Sequence, residues 1–316
     1  MSKFMILVAG GTGFLGSHII DKLKKSGNYY ISSSLSQGVD FRNYDQTEQL
    51  FKKNKIDIVI NCAAFVGGIS WGYEKAAEMY TNNILMSTNL MDLSHKYKIK
   101  RFINPISNCS YPGHLTKDFK EEEWWDGPLH ESVLTYGFVR KASWIQGWAY
   151  QKQYGLESIH LILPNMYGPG DHFEEKRSHA LGALIKKIVD AKLDNQSQVV
   201  VWGTGTPIRE WLYVEDAADV LIKSISITPT LKPINIGVGK GISVKEMVEL
   251  IKKIAGYKGK LIFDLTKPDG APHKTMDNNR MIKHFMGWKP PTDLKQGITN
   301  TISWYTENRS KFIKKN

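Results

Sequence analysis

The chain has 316 residues, 41% of them hydrophobic, which is enough for one large domain or two smaller domains with substantial cores. Its formal net charge is +11, but no basic run alternates with aromatic residues, which argues against nucleic-acid binding, and no apolar run approaches the ~20 residues of a membrane span. The two cysteines, Cys62 and Cys109, lack metal-ligand spacing, and no signal-peptide pattern is present. We therefore expect a reduced, cytoplasmic protein without a metal.

Strands and helices are predicted to alternate along the first half of the chain. The predicted strands cover residues 4–9, 29–33, 56–60, 101–106 and 158–163, and the predicted helices cover residues 18–23, 46–53, 82–96 and 136–153. This alternation is typical of a parallel sheet with right-handed crossovers. We predict an α/β fold with a Rossmann-type doubly wound parallel sheet.

The pattern changes after Pro164, where glycines and a proline at 168–170 interrupt the chain. The predicted helices then cover residues 180–191, 216–225, 242–255 and 292–308, and the predicted strands 198–202, 209–214, 234–236 and 260–263. We predict an NAD(P)-binding domain of residues 1–165 and 209–237. Residues 166–208 and 238–316 are predicted to form a smaller, discontinuous α/β substrate domain.

Three glycines stand between the first predicted strand and the first predicted helix. Such a loop turns tightly, lets backbone N–H groups approach a pyrophosphate and sets a helix N-terminus against it. The spacing of three residues and three residues resembles that of the extended short-chain dehydrogenase/reductase family. The residues predicted to bind the dinucleotide here are Gly10, Thr12, Gly13, Phe14, Leu15 and Gly16.

Three serines, residues 32–34, end the second predicted strand, where NAD-selective folds carry an acid for the ribose 2′-hydroxyl. The next acid is Asp40. Because no carboxylate would repel a 2′-phosphate, the sequence favours NADP (NADPH) over NAD, although no arginine is in place to clamp the phosphate.

Tyr136 begins a predicted helix that carries Arg140 four residues later and Lys141 one residue further. In short-chain dehydrogenases a Tyr and a Lys four residues apart share one helical face, and the cation helps the phenol to act as an acid or base. One residue turns a side chain by ~100° around a helix, so Arg140 is predicted to supply this charge. A non-catalytic NADP-binding protein stays open as an alternative, because arginine cannot be deprotonated.

Ser107 and Cys109 follow the strand predicted at residues 101–106, and their segment, SNCSYP at residues 107–112, resembles the matching segment of GDP-L-fucose synthases. The resemblance extends along nearly the whole chain. It includes NCAAFVGGI at 61–69, PNMYGP at 164–169, GTGTPIRE at 203–210, KPDGAPHK at 267–274 and GWKP at 287–290.

That family epimerises both carbons beside the ketone of a GDP-4-keto-6-deoxyhexose and then reduces the ketone with NADPH. Inversion at carbon needs a base on one face and an acid on the other. The resemblance implies that Cys109 is the base and His179 the acid, and that Ser107 and Tyr136 stabilise the enolate oxygen. Tyr136 would then give the proton that completes reduction at C4.

The resemblance also implies the residues that bind the cofactor and the substrate. Further cofactor contacts are implied for Ser33, Ala63, Ala64, Asn83, Tyr136, Arg140, Pro164 and His179. Substrate contacts are implied for Val66, Gly67, Asn165, Lys187, Trp202, Arg209, Asp269 and Lys274. The Arg209 guanidinium matches diphosphate geometry, while Trp202 either stacks on a base or fills the core.

Two departures leave the nucleotide and the sugar open: Lys187 and His273 stand where the family usually has arginine. The alternatives are a nucleotide-sugar 4-epimerase, an epimerase without reduction, or a dehydratase that recycles its cofactor. Dehydratases carry an acid pair near Ser107 that this chain lacks, and simple 4-epimerases do not need Cys109 and His179. We also expect a homodimer formed by pairing the helices predicted at 82–96 and 136–153.

Overall fold

The computed structural model describes residues 4–174, 178, 180–267 and 269–312. The strands are β1 (Met5–Ala9), β2 (Tyr29–Ser33), β3 (Ile58–Asn61), β4 (Arg101–Ser107), β5 (Ser158–Leu163), β6 (Asn165–Tyr167), β7 (Gln198–Trp202), β8 (Ile208–Arg209), β9 (Trp211–Tyr213), β10 (Ile234–Asn235), β11 (Ile242–Ser243), β12 (Lys260–Asp264) and β13 (His273–Lys274). The helices are α1 (Phe14–Lys25), α2 (Tyr44–Lys53), α3 (Ile69–Glu74), α4 (Ala76–Lys96), α5 (Leu134–Tyr154), α6 (Ala180–Leu193), α7 (Val214–Lys223), α8 (Val244–Ala255), α9 (Asn279–His284) and α10 (Leu294–Asn308).

A six-stranded parallel sheet with the order β10-β5-β4-β3-β1-β2 forms the centre of the larger region. Successive side chains of a strand point to opposite faces, and both faces are covered here. Val8 of β1 lies in a buried apolar cluster with Ile19 of α1 and Leu221 of α7. Its neighbour Leu7 belongs to a cluster on the other face with Leu90 of α4. The predicted doubly wound α/β fold is confirmed.

The smaller region packs α6, α8 and α10 around a second apolar cluster that includes Ile185, Ile251 and Ile298. Its strands pair in short ladders: β7 with β12 in parallel, and β8 with β11 and β13 on its two sides. The proposed division of the chain into two domains at residues 165/166, 208/209 and 237/238 stays a prediction.

Residues 209–214, predicted as one strand, form the end of β8, all of β9 and the start of α7. Glu210 separates the two strands and is fully buried. Its carboxylate accepts hydrogen bonds from the backbone N–H groups of Gly239 and Met276, at 2.7 and 2.8 Å. Burial raises the pKa of Glu210 to about 7. The Glu210 N–H still donates to the Lys274 carbonyl at 2.9 Å, so this residue links β8 to β13 through its backbone and to two other segments through its carboxylate.

Gly147 of α5 allows the helix to lie directly on the buried His160 of β5. A Cβ at this position would stand 2.3 Å from His160 Nε2. We therefore expect Gly147→Ala to lower the free energy of unfolding by about 2 kcal/mol, as overpacked cores do. Gly72→Ala in α3 is the matched control, because its added Cβ would meet nothing closer than 3.8 Å. Urea unfolding checks both variants; equal stability of the two would contradict the prediction.

His160 should make the protein less stable in mild acid. Its ring is almost fully buried and contacts Asn104 Nδ2 at 3.1 Å and Ser158 Oγ at 3.0 Å. Burial lowers the pKa of His160 to about 3, whereas an unfolded histidine titrates near ~6.5. As the pH falls below ~6.5 the unfolded chain takes up a proton at this histidine that the folded chain does not, so the contribution of His160 to stability falls by about 2 kcal/mol by pH 5. The raised pKa of Glu210 acts in the opposite direction over the same interval, so the effect of His160 is the difference between the wild type and His160→Gln.

The measurement is urea unfolding at pH 7 and pH 5, compared with His160→Gln, which should lose less stability over this interval. His114→Gln, at an exposed histidine, should keep the wild-type dependence. A wild-type slope in His160→Gln would show that another group carries the effect.

Candidate active site

The glycine loop joins β1 to α1 at the carboxyl end of the central sheet. Gly10 has a φ of +78°, and its N–H donates to the Ser33 carbonyl of β2 at 2.7 Å. A Cβ on Gly16 would lie 2.2 Å from the Gly10 carbonyl oxygen, so a larger residue would force the helix off the loop. The loop has the close helix approach that a dinucleotide pyrophosphate requires.

Hydroxyl groups line the end of β2 beside this loop. Thr12 Oγ1 donates to Ser34 Oγ at 2.8 Å and lies 2.9 Å from Ser36 Oγ. Ser33 is buried, and its Oγ has no hydrogen-bond partner among the described residues. These side chains can donate to phosphate or ribose oxygens, and they bring no carboxylate to the position where NAD-selective proteins have one.

Asn83 of α4 holds the loop that follows β3. Its Oδ1 accepts from the Phe65 N–H at 3.0 Å, and its Nδ2 donates to the carbonyls of Phe65 and Met79 at 2.8 and 2.6 Å. Asn83, expected to contact the cofactor, thus has its amide engaged in fixing the segment that contains Ala63 and Ala64. The same segment leads to Val66 and Gly67, and a Cβ on Gly67 would strike the Trp71 ring at 2.4 Å.

Cys109 lies in a single 3₁₀ turn immediately after β4. Its N–H donates to Ser107 Oγ at 3.2 Å, and Ser110 Oγ donates to the Ser107 carbonyl at 2.7 Å. Gly137 packs against this turn so closely that an added Cβ would stand 2.4 Å from the Cys109 carbonyl oxygen. The first turn of α5, which carries Tyr136, therefore meets the turn that carries Ser107 and Cys109.

Arg140, and not Lys141, is the cation beside Tyr136. The centre of its guanidinium lies 4.8 Å from the Tyr136 ring centroid. Arg140 is 5% exposed, and its Nε has no hydrogen-bond partner among the described residues. Burial raises the pKa of the neighbouring Cys62 to about 12, and the Arg140 charge opposes that rise.

Lys141 points the other way, into a group of tryptophans. Its Nζ donates to the Trp124 carbonyl and lies 4.4 Å from the Trp125 ring centroid. Burial lowers the pKa of Lys141 to about 8. The Trp124 Nε1–H in turn donates to Ser110 Oγ at 2.8 Å, so Lys141 supports the Cys109 turn from behind.

Lys274 reaches the same turn from the smaller region. Its Nζ donates to Cys109 Sγ at 3.4 Å, across 165 positions of sequence. Lys274 in β13 pairs in register with Arg209 in β8. Burial lowers the pKa of the Arg209 guanidinium, and Cys109 and Asp269 oppose this shift, so Arg209 also lies within electrostatic reach of the sulfur.

Trp202 is the last residue of β7 and lies on the surface. The residue is 52% exposed, which removes the expectation that it fills the core. Lys187 Nζ and Lys267 Nζ lie 5.4 and 5.5 Å from the ring centroid. Asp269 Oδ1 accepts from the Thr204 N–H at 2.8 Å, and the Asp269 carbonyl accepts from Arg209 Nη2 at 3.2 Å. This surface can offer an aromatic face and cations to a nucleotide.

Two more predicted residues lie where β5 passes into β6. Pro164 is buried, and Asn165 donates from Nδ2 to the Glu210 carbonyl at 3.4 Å. His179, the predicted acid, lies outside the described residues. Glu210, Gly137 and the Trp124–Ser110 pair were missed as supports of the site. Only Glu210 had a signal, because a charged residue interrupts a strand that is otherwise predicted to be buried.

Residues 6–237 match the NAD dependent epimerase/dehydratase family. The chain is 35% identical over 304 residues to a probable GDP-L-fucose synthase 1 of Oryza sativa subsp. japonica, covering 96% of this chain and 92% of that protein. The chain therefore belongs to the NAD dependent epimerase/dehydratase family. The resemblance to GDP-L-fucose synthases expected from its motifs is confirmed.

Two solved structures show the same fold along nearly their full length. A GDP-6-OMe-4-keto-L-xylo-heptose reductase from C. jejuni has a TM-score of 0.91 and 27% identity, over 98% of this chain and 99% of that chain. A GDP-L-fucose synthetase from Naegleria fowleri bound to NADP has a TM-score of 0.89 and 27% identity, over 99% and 98%. Among the described residues no helix is both long and apolar enough to cross a membrane.

Proposed function

We propose that the chain is a nucleotide-sugar 3,5-epimerase/4-reductase that acts on a GDP-linked 4-keto sugar and uses NADPH. The observation that carries the proposal is the meeting of two turns at the carboxyl end of the sheet. Gly137 brings the first turn of α5, with Tyr136, against the turn that contains Ser107 and Cys109. A base, an acid and a hydrogen-bond donor are the groups needed around an activated ketone.

Epimerisation is a pair of proton transfers at a carbon beside the ketone. The Cys109 thiolate takes the proton, the electron pair of the C–H bond moves into the carbonyl, and the negative charge rests on oxygen. Ser107 and Tyr136 donate hydrogen bonds to that oxygen. Return of a proton from the opposite face inverts the carbon, and we propose His179 for this step from the resemblance alone.

Reduction at C4 needs a hydride donor. Members of this family use a nicotinamide cofactor, and NADPH, when bound, would provide the hydride. The glycine loop fits its pyrophosphate, and the Ser33 hydroxyl and Arg140 Nε are buried donors still without a partner among the described residues. We propose that Arg140 binds the nicotinamide ribose and that Tyr136 gives the proton to the C4 oxygen. The preference for the 2′-phosphate is attributed to the hydroxyls of Thr12, Ser34 and Ser36, with support from the NADP-bound relative of N. fowleri.

For the substrate, we propose that Trp202 stacks on the nucleobase between Lys187 and Lys267, and that Arg209 binds the diphosphate. Asp269 fixes the Arg209 side chain through its carbonyl. GDP is the nucleotide named in the relatives. We further propose a cytoplasmic homodimer formed through α4 and α5, whose outer faces expose Tyr80, Leu85, Phe138 and Trp148.

A second candidate is a 4-reductase without epimerisation, acting on a GDP-heptose. It is favoured by the likeness to the C. jejuni reductase, which is named for reduction alone. The observation against it is the contact between Lys274 and Cys109, because simple reduction leaves the sulfur without a role.

The test incubates the purified protein with a panel of GDP-linked 4-keto hexoses and heptoses in D₂O, with and without NADPH, and follows product mass. The proposed epimerase/reductase activity predicts deuterium incorporation at the carbons beside the ketone even without NADPH. With unlabelled NADPH the product should gain two further mass units, one from the hydride at C4 and one from the new hydroxyl hydrogen, once the hydroxyl groups have exchanged back to ordinary hydrogen. Reduction without deuterium at those carbons would establish the second candidate. Neither exchange nor NADPH oxidation with any member of the panel would refute the proposed function.

A further inference from the structure

The contact between Lys274 and Cys109 joins the two predicted domains at a reactive atom. Lys274 Nζ donates to Cys109 Sγ at 3.4 Å, within hydrogen-bond distance for sulfur. The resemblance implied a role for Lys274 in binding substrate, and that role needs no contact with the thiol. We infer that Lys274 is a catalytic residue that holds Cys109 in its ionised, proton-accepting form. The inference rests on the proposed function and deepens it.

The backbone around Lys274 is fixed from two sides, so the contact is built into the fold. The Lys274 carbonyl accepts from the Glu210 N–H at 2.9 Å, and the buried Glu210 carboxylate accepts from the Met276 N–H at 2.8 Å. On the other side, the Thr275 carbonyl accepts from the Phe119 N–H at 2.8 Å. These bonds fix the backbone on both sides of Lys274, so its side chain starts from a defined position near the sulfur.

Other charged and titratable groups face the Cys109 turn from neighbouring elements. Arg209 on β8 interacts electrostatically with the sulfur, but its Nη1 and Nη2 donate to the carbonyls of Ile208 and Asp269. Tyr136 adjoins the turn from α5. Lys274 is a cation in direct hydrogen-bond contact with Sγ, and its three donors can rotate to follow the sulfur.

The chemistry requires a charged sulfur, because a thiolate and not a thiol can accept a proton from carbon. Before the reaction the thiol proton is released to solvent, and the thiolate remains paired with the Lys274 ammonium. When the thiolate takes the α-proton, an S–H bond forms and a C–H bond breaks, and the electron pair passes to the ketone oxygen. Lys274 keeps its proton throughout.

The experiment measures iodoacetamide alkylation of Cys109 by peptide mass spectrometry between pH 5 and pH 10, in the substrate-free protein. An opposite charge within ~4–6 Å shifts a titration by about one pH unit or more. In Lys274→Met we expect the midpoint of the alkylation profile to rise by about one pH unit and the rate below the midpoint to fall about tenfold. Lys274→Arg, which keeps the charge, should stay near the wild-type midpoint.

The chain offers internal controls. Lys253→Met removes an exposed charge on α8 and should leave the alkylation profile unchanged. Cys62 is partly buried and its pKa is raised to about 12 by burial, so it should remain largely unlabelled in the folded protein over this pH range. Labelling of Cys62 in Lys274→Met would report unfolding, and Lys274→Gln would then replace that variant in the comparison.

The inference and the proposed function fail in different ways. An unchanged alkylation midpoint in Lys274→Met, in a protein that still exchanges deuterium less well, would overturn the inference and return Lys274 to substrate binding. A raised midpoint together with a wild-type enzyme that exchanges no deuterium would support the ion pair and refute the epimerase. An unchanged midpoint with undiminished exchange would remove Lys274 from the site.

Discussion

Cys109→Ser is expected to reduce deuterium exchange beside the ketone by about 10³-fold while leaving NADPH affinity unchanged. The hydroxyl that replaces the thiol does not ionise near neutral pH, and loss of a positioned base costs ~10²–10⁴-fold. The oxygen fits the same turn, because Ser107 Oγ accepts from the backbone N–H at position 109 and not from the side chain. Mass spectrometry in D₂O follows exchange, and fluorescence titration follows NADPH.

Cys62→Ala is the matched control for this variant. Cys62 follows β3, and its thiol is kept protonated by burial, so its removal should not alter exchange. Exchange at the wild-type rate in Cys109→Ser would exclude this sulfur as the base. Equal losses in the two variants would show that the effect comes through the fold and not through the chemistry.

Arg140→Met is expected to slow reduction by about 10²–10³-fold, the range associated with loss of one group in acid catalysis or charge stabilisation. Arg140 is the buried cation that lies against the Tyr136 ring, and methionine keeps its bulk without the charge. Arg140→Lys places an ammonium at the spacing that short-chain dehydrogenases use, and should retain activity within about tenfold. Single-turnover oxidation of NADPH measures each variant.

The neighbouring lysine provides the contrast. Lys141→Met removes a charge from the next position on α5, where the side chain is directed at Trp124 and Trp125. We expect this substitution to lower the free energy of unfolding, and to slow hydride transfer much less than Arg140→Met does. A loss in Lys141→Met as large as that in Arg140→Met, measured under conditions where both are folded, would contradict the assignment of Arg140.

The buried strands were predicted well from the sequence because apolar residues dominate each of them. Residues 158–163 were predicted as a strand and form β5 with the same bounds, and residues 4–9 contain β1. Helix starts were predicted less well: α4 begins at Ala76 and not at residue 82, and α1 begins at Phe14 and not at residue 18. Neither helix has a side-chain cap, so the usual signal for a first turn is missing.

Within the site, local spacing was enough to predict that Arg140 and not Lys141 lies beside Tyr136, since both residues lie on one helix and their side chains differ by a known rotation about its axis. Contacts between distant segments were beyond such reasoning. The approach of Lys274 to Cys109 depends on β8 and β13, strands of two residues each, which have no periodicity to recognise. Glu210, whose carboxylate secures that arrangement, looked like a charged residue in a strand.

The last strand of the central sheet has a consequence for dissecting the protein. β10 has only two residues and comes from position 234, yet it pairs with Leu161 and Ile162 of β5. A fragment that stops before it would leave β5 with a bare row of amide and carbonyl groups, and one that stops before residue 214 would also leave α1 without α7 beside it. Bare edges of this kind invite intermolecular pairing. Isolated N-terminal pieces should therefore precipitate, and any split version would need both halves made together.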